Sequence, residues 1–379
     1  MKPIRMVDLE TQYGKIKTEI DTAIAAVIQS MVFIKGPEVA RLEKQLAEYL
    51  QVKHVIACAN GTDALQIAMM ALDLKPGEEV ITACFTYAAT AEVIALLKLK
   101  PVLVDVDPDT FNLDIEAVEK AITPKTKAIV PVHLFGQCAD MEPLLALAAK
   151  HQLHIIEDAA QAIGAEYVFG DGSNKKAGTM GNIGTLSFFP SKNLGCFGDG
   201  GAILVNDDAL AAKIRRIANH GQSSLYLHDE VGVNSRLDAI QAAILLVKLP
   251  HLNSYNQARQ KAADYYDAQF KNHPNIKIPV RAAHRSHTFH QYTLQLKGID
   301  RDSLKAYLKQ LEIPTTVYYP MPLNTQKAYL QEGDFTVTQK LCDTVLSLPM
   351  HSELELEQLE YITQHILKFL KDQTLIPSI

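Results

Sequence analysis

Ala128-Ile129-Val130-Pro131-Val132, then Asp140 opening the segment 141–150, then His154-Ile155-Ile156-Glu157-Asp158, read as strand, capped helix and strand. The two apolar runs are too short for helices. The segment between them opens on an aspartate suited to accept the first free N–H groups of a helix. A strand, a helix and a strand in so short a span imply a crossover connection, which joins parallel strands. The alternation extends toward the N-terminus. Val55-Ile56-Ala57-Cys58-Ala59 is a strand ending at Asn60-Gly61, and 64–72 is helical, closing near Pro76-Gly77. Val80-Ile81-Thr82 is a strand, 88–97 a helix apolar on several faces and so buried, and Val102-Leu103-Val104-Asp105-Val106 a strand. Asp114 caps a helix to about Ile122, with Pro124 as its stop. The fold class is α/β, a mostly parallel sheet with helices on both faces.

Beyond about residue 250 the character changes. Pro250 ends a long helical stretch, 272–288 is loop-rich, and 303–311 and 354–370 are amphipathic. This predicts a large domain over 1–250 and a small C-terminal α+β domain over 251–379, sizes that each bury a core. Of the 379 residues 47% are hydrophobic and 21% charged, values ordinary for a globular enzyme. The net charge of −6 and the lack of a basic run do not suggest a nucleic-acid binder. Cys58, Cys84, Cys138, Cys196 and Cys342 form no C-x-x-C pair and are odd in number, which favours reduced thiols. No apolar run has the length of a signal core or a membrane span, so a soluble, cytoplasmic protein is expected.

Three stretches carry candidate chemistry. Asn60-Gly61-Thr62-Asp63-Ala64 leads from a strand into a helix, whose first N–H groups and dipole suit a phosphate, with the Thr62 hydroxyl to help. A plain cap by Thr62 or Asp63 is the other reading. Asp158 stands at a strand's carboxyl end, where parallel sheets place ligands. A carboxylate there suits a protonated pyridinium nitrogen, though a metal ligand or a helix cap stays open. Gln161, three residues on, can face the same ring. Lys192 follows the run Thr185-Leu186-Ser187-Phe188-Phe189-Pro190 on a loop with glycines at 195, 198, 200 and 201. In a dry pocket such a lysine loses basicity and forms a Schiff base; a solvated loop lysine is the alternative. Phosphate cradle, strand-end acid and loop lysine, in that order on one α/β chain, point to a pyridoxal-phosphate (PLP) enzyme.

With these motifs the chain resembles the DegT/DnrJ/EryC1/StrS family of PLP-dependent sugar aminotransferases, from Val7-Asp8-Leu9 to Ser347-Leu348-Pro349-Met350-His351. The resemblance rests on Asn60-Gly61-Thr62-Asp63-Ala64-Leu65, Glu157-Asp158-Ala159-Ala160-Gln161, Ser187-Phe188-Phe189-Pro190-Ser191-Lys192 and Gly232-Val233-Asn234-Ser235-Arg236. It implies the aspartate aminotransferase fold (PLP fold type I). It also implies that Lys192 carries the cofactor, Asp158 bonds the pyridine nitrogen and Gln161 approaches the ring hydroxyl. Thr62, Asp63 and Ser187 would hold the phosphate and Tyr87 would stack on the ring. Asn234 would reach the phosphate of a neighbouring subunit, so a homodimer with shared active sites is expected. Relatives with histidine at the position of Lys192 are dehydratases, so the lysine indicates amino transfer. No metal is assigned.

Within the family the chain is similar to enzymes that aminate C3 of UDP-2-acetamido-2-deoxy-3-keto-glucuronate for O-antigen and other lipopolysaccharide sugars. Shared stretches are 58–66, Phe135-Gly136-Gln137-Cys138-Ala139-Asp140 and Tyr319-Pro320-Met321-Pro322-Leu323-Asn324. The resemblance implies L-glutamate as amino donor and Arg236, Tyr318 and Tyr319 as sugar contacts, Arg236 facing the uronate carboxylate. Tyr318 stands where the uronate enzymes carry histidine. A tyrosine bonds a carboxylate but adds no positive charge near neutral pH. Two further readings stay open: a dTDP-linked 3-keto-6-deoxyhexose or a 4-keto sugar as acceptor, and a regulatory protein that keeps the fold without catalysis. The full set Lys192, Asp158, Gln161 and Ser187 argues against the last.

Overall fold

The computed structural model describes residues 2–374. Its main sheet has seven strands: β1 (His54–Cys58), β2 (Glu79–Ala83), β3 (Lys100–Val104), β4 (Thr126–Val130), β5 (His154–Asp158), β6 (Ile183–Ser187) and β7 (Gly201–Val205). The order across the sheet is β1-β7-β6-β5-β4-β2-β3. β6, β5, β4, β2 and β3 pair in parallel, and β7 runs antiparallel to both its neighbours. β1 therefore points the same way as the parallel set.

Successive side chains of a strand face opposite sides of a sheet. Val55 and Ala57 of β1, Ile129 of β4 and Ile155 of β5 enter one core, together with Leu42, Leu46 and Leu50 of the helix Pro37–Leu50. Their neighbours Ile56, Cys58, Val130 and Ile156 enter a second core with Ala64, Leu65 and Ala68 of the helix Gly61–Ala71. Burial on both faces is why these strands read as unbroken apolar runs.

β3 begins and ends two residues earlier than the sequence suggests. Asp105 and Val106 leave the ladder, and Val106 pairs instead with Leu113. Asp114 does cap its helix, accepting from the Ala117 N–H at 2.7 Å. Asp140 occupies the N-cap position of Met141–His151 but makes no side-chain capping bond. Its carboxylate accepts from the Tyr167 hydroxyl at 2.6 Å and pairs with Arg285 at 2.8 Å, stronger partners than an N–H. Pro250 does not end the helical stretch. It sits in the turn Leu249–His251, where its missing N–H costs nothing, between the helices Ala239–Lys248 and Leu252–Phe270.

A second, antiparallel sheet is formed by β8 (Ile276–Lys277), β9 (Tyr292–Leu296) and β10 (Val345–Leu348), in that order. Helices Arg301–Gln310 and Leu356–Thr374 pack with it around a third core that includes Tyr266, Tyr292, Leu304, Leu346 and Ile362. Ile4 joins this core, so the first described residues pack with the last part of the chain. Leu252 belongs to the first core and Tyr266 to the third, so one helix spans both. No helix among the described residues is long and apolar enough to cross a membrane.

Candidate active site

Strands pointing one way place their carboxyl ends on one edge of the sheet, and there backbone and side chains are free to meet a ligand. Asn60 and Gly61 follow β1, Tyr87 follows β2, Asp158 ends β5 and Ser187 ends β6. The reversed strand β7 starts at the same edge, with Gly201 paired to both Cys58 and Ser187. The loop 188–200 that carries Lys192 therefore lies over this edge as well.

Glycine is required where the two sides of the edge meet. A Cβ on Gly201 would lie 2.4 Å from the Asn60 carbonyl, and one on Gly61 would lie 2.8 Å from Ser187 Cβ. The helix beyond, Gly61–Ala71, is capped by Asn60, whose Oδ1 accepts from the Asp63 N–H at 2.8 Å. Neither Thr62 nor Asp63 is the cap. The Asp63 N–H, expected to face a phosphate, is committed to Asn60. Gly61 and Thr62 head the helix, where N–H groups have no partner within it.

Asp158 is buried and its partners hold it in one orientation. Oδ2 accepts from the Thr90 hydroxyl at 2.8 Å and Oδ1 from the Ala160 N–H at 3.2 Å. Next to it, Glu157 is buried on the opposite side with four donors. Oε1 accepts from the Met180 and Gly181 N–H groups at 2.6 Å each, and Oε2 from the Gly178 N–H at 2.7 Å and from His133 Nε2 at 2.8 Å. His133 Nδ1 accepts from the Ala139 N–H at 3.0 Å, so the ring proton resides on Nε2. The His133 N–H donates to the Asp158 carbonyl at 3.0 Å. One buried carboxylate thus ties two loops to the strand end that presents Asp158.

Gln161 Oε1 accepts from the Phe135 N–H at 2.8 Å and its Nε2 donates to the Tyr319 hydroxyl at 3.3 Å. Phe135 has φ 58°, a conformation a bulky residue adopts only when held, and the Gln161 bond holds it. Tyr319 packs edge-on to Phe85 at 5.9 Å and tilted against Tyr87 at 6.4 Å. Tyr87 is 63% exposed and forms an open aromatic wall. Burial pushes the Tyr319 phenol upward from its ordinary value; Gln161 opposes this and Asp158 adds to it.

Lys192 is partly buried, and burial brings its amine down from 10.5 to about 8, with Asp158 acting in the opposite sense. Its loop is gripped from the helix Ala239–Lys248. Gln241 accepts from the Phe197 N–H at 2.8 Å and donates to the Phe197 carbonyl at 3.2 Å. Lys248 donates to the Gly195 carbonyl at 2.8 Å and lies over the Phe197 ring at 4.6 Å. On the far side Asn193 Nδ2 donates to Asn256 at 2.8 Å and to the Thr288 carbonyl at 3.1 Å. His290, two residues on, is buried, and its Nδ1 has no hydrogen-bond partner among the described residues. Burial holds its imidazole well below the ordinary range, and the Lys192 and Arg259 cations lower it further.

The segment bearing Asn234 and Arg236 borders this edge through its neighbours, since a Cβ on Gly200 would lie 3.0 Å from Leu237. Asn234 is exposed and pairs with Asn219, while Arg236 lines a cleft of about 300 Å³ with Lys35, Gly36, Arg215 and Ser235. Ser235 links that segment to β1 by accepting from the Ala59 N–H at 3.0 Å. Tyr318 is partly buried beside Tyr319, 6.0 Å between ring centres. Sequence reasoning missed Thr90, His133, Gln241, Lys248 and His290. Of these only His133 left a signal, a histidine just beyond the predicted strand Ala128–Val132.

The residues present fit a phosphorylated pyridoxal. The fit rests on a glycine-lined helix start beside Ser187, a fixed buried carboxylate, an amine of lowered basicity and an orphaned imidazole nitrogen beside it.

Comparison with known proteins bears on the same residues. The model of the DegT/DnrJ/EryC1/StrS aminotransferase family matches residues 14–367. The chain is 48% identical over 360 residues to a UDP-2-acetamido-2-deoxy-3-oxo-D-glucuronate aminotransferase of Pseudomonas aeruginosa, covering 95% of this chain and 98% of that one. It is 47% identical over 372 residues to a pleiotropic regulatory protein of Geobacillus stearothermophilus, covering 97% and 98%. The crystal structure of NtdA from Bacillus subtilis, with bound cofactor PMP, superposes with a TM-score of 0.88 at 31% identity over 97% of this chain and 83% of that one. An α/β sheet of this order, the site at its carboxyl edge and a match over nearly the whole length have one reading: the chain belongs to the DegT/DnrJ/EryC1/StrS aminotransferase family.

Proposed function

We propose that this chain transfers the amino group of L-glutamate to C3 of UDP-2-acetamido-2-deoxy-3-keto-glucuronate, with pyridoxal phosphate held at Lys192. The observation that carries the amino-transfer reading is the Lys192 amine, brought to about 8 on a clamped loop that shares one sheet edge with Asp158. The relative from Pseudomonas aeruginosa supports the uronate acceptor.

Pyridoxal phosphate bound there supplies an aldehyde that carries nitrogen and a ring that takes up negative charge from the neighbouring carbon. The chain's own residues do the rest. The head of the helix Gly61–Ala71, with Thr62 and Ser187, binds the phosphate. Asp158, fixed by Thr90, holds a proton on the ring nitrogen by charge. Tyr87 covers one ring face and excludes water. With the cofactor bound, Lys192 would be the amine that moves a proton at the substrate carbon. Arg236, Tyr318 and Tyr319 orient the sugar. Asn234 reaches the phosphate site of a second copy, so the enzyme works as a homodimer. Met31 and Val231, 70% and 85% exposed, are apolar surface that such an interface would cover. The product serves surface-polysaccharide synthesis in the cytoplasm. The two-domain division near residue 250 belongs to the same reading.

The test is direct. Purified protein is given glutamate and each of three acceptors: the UDP-linked 3-keto uronate, a dTDP-linked 3-keto-6-deoxyhexose and a 4-keto sugar. The uronate should give 2-oxoglutarate and the 3-amino sugar fastest. Lys192→Ala should lose turnover and the yellow absorbance of the bound cofactor. Full activity in that variant would refute the assignment. A wild-type protein that binds the cofactor yet aminates nothing would favour the regulatory reading, which the relative from Geobacillus stearothermophilus keeps in view.

A further inference from the structure

The segment that carries Tyr318 and Tyr319 continues along the outer edge of the main sheet, where side chains pin it. Gln331 acts as a short piece of strand: its Oε1 accepts from the Leu103 N–H at 2.9 Å and its Nε2 donates to the Leu103 carbonyl at 2.8 Å. Leu103 lies on β3, the edge strand, whose outer backbone groups would otherwise face solvent. Asn324 closes a loop with it. The Gln331 N–H donates to the Asn324 carbonyl at 3.1 Å, and Asn324 Nδ2 donates to the Gln331 carbonyl at 3.2 Å. Asn324 Oδ1 also accepts from the Cys84 thiol at 3.2 Å, and the Leu323 N–H donates to the Cys84 carbonyl at 3.3 Å, just past β2.

A second anchor follows. Asp105, one residue beyond β3, accepts from the Val337 N–H at 2.9 Å and from the Thr338 N–H and hydroxyl at 2.8 and 2.7 Å. It brings a carboxylate from the main sheet to the first turn of the helix Thr336–Thr344, beside Asp334, which accepts from the Thr336 N–H at 3.1 Å, while the N-cap residue Phe335 makes no side-chain bond. The chain from 323 to 338 is therefore fixed at three points on the ends of β2 and β3.

We infer that Gln331, Asn324 and Asp105 are positioning residues for the sugar acceptor, holding the Tyr318–Tyr319 segment in its binding shape before the nucleotide sugar arrives. This rests on reading Tyr318 and Tyr319 as acceptor contacts. A recognition segment already ordered binds without the cost of ordering, and that cost returns when its anchor is cut. Tyr319 keeps separate holds on Gln161 and Phe85, so cutting the clamp loosens Tyr318 and the chain beyond it first. Glutamate is small and would react with the cofactor held at Lys192, so the donor half of the reaction has little use for the clamp.

Gln331→Leu leaves an apolar side chain one bond shorter and removes both bonds to Leu103. Asp105→Asn keeps one acceptor for Thr338 and turns an amide N–H toward the Val337 N–H. Each holoenzyme is measured three ways: KM for the nucleotide sugar, the single-turnover rate with glutamate alone, and backbone hydrogen exchange over 100–106 and 318–338. The expected result for Gln331→Leu is a rise of about tenfold in acceptor KM, a glutamate half-reaction within about twofold of wild type, and faster exchange at Leu103 and Gln331. Asp105→Asn should show the same pattern, with the exchange at Val337 and Thr338. Faster exchange with an unchanged acceptor KM overturns the inference, and so does an equal fall in both half-reactions. Unchanged exchange overturns the clamp itself, whatever the substrate. A wild-type protein inactive with every nucleotide sugar would instead sink the proposed function, while the exchange experiment still reads the clamp.

Discussion

The protonation of Lys192 can be titrated, and its neighbour Asp158 says which way it should move. Burial alone disfavours the ammonium; the Asp158 carboxylate is the group acting the other way, and the balance leaves the amine at about 8 instead of 10.5. At pH 7 such an amine is about 9% neutral, against about 0.03% for one at 10.5, a gain of about 300-fold in the nucleophilic form. The assay is competitive acylation of cofactor-free protein with a brief pulse of acetic anhydride, read at Lys192 by peptide mass mapping. A lysine peptide in solution is the reference. Reactivity at Lys192 should rise about tenfold per pH unit and level off near pH 8, while the peptide keeps rising well past it. Asp158→Asn should move the plateau to lower pH, because the charge that sustains the ammonium is gone. Reactivity that climbs with the peptide to pH 10, or a plateau that moves upward in Asp158→Asn, would refute the reasoning.

Thr90→Val should cost about 1.5–3 kcal/mol in the unfolding free energy of the cofactor-free protein, because it strips a charge-assisted bond from buried Asp158; Thr90→Ser should restore most of it. Glu157→Leu removes the acceptor shared by Gly178, Met180, Gly181 and His133, and should cost more than about 4 kcal/mol, seen as a collapse of soluble yield. Lys248, like Lys192, is brought by burial from 10.5 to about 8. Between those values the unfolded chain holds protons the folded chain has released, so their contribution to stability grows as pH rises and is lost as pH falls toward 8. Lys248→Met should therefore gain less stability than wild type between pH 8 and 10 in denaturant titrations. An identical gain would show that Lys248 is not the buried cation described here.

Much of the fold was legible in the chain itself. Strands buried on both faces must be apolar throughout, and helices between them must cross over, so β1 to β5 and a largely parallel sheet follow from pattern, while the order across the sheet and the reversed β7 beside β1 do not. Asp158 was legible as a strand end for the same reason, since the carboxyl edge is where a parallel sheet places its ligands; Ser187 came only through the family resemblance, because its run reads as apolar on to Pro190 and the strand stops at Ser187. Lys192 stood out by its glycine-rich loop. Hidden were contacts between residues far apart in sequence. Thr90 meets Asp158 because the helix Ala89–Leu96, which follows β2, brings it to the end of β5, and nothing local marks a threonine for that. Asp140 looked like a cap, and it became one half of a pair with Arg285 because a charge outbids an N–H when folding brings it near. Pro250 looked like a stop, and it became a bend because the following helix finds apolar partners in both cores. The sequence by itself determined the periodicity of burial, hence the layers and the edge on which chemistry sits. Only the tertiary structure decided how basic Lys192 is, which groups orient Asp158 and what pins the tyrosine segment, because those depend on desolvation and on partners that no local pattern records.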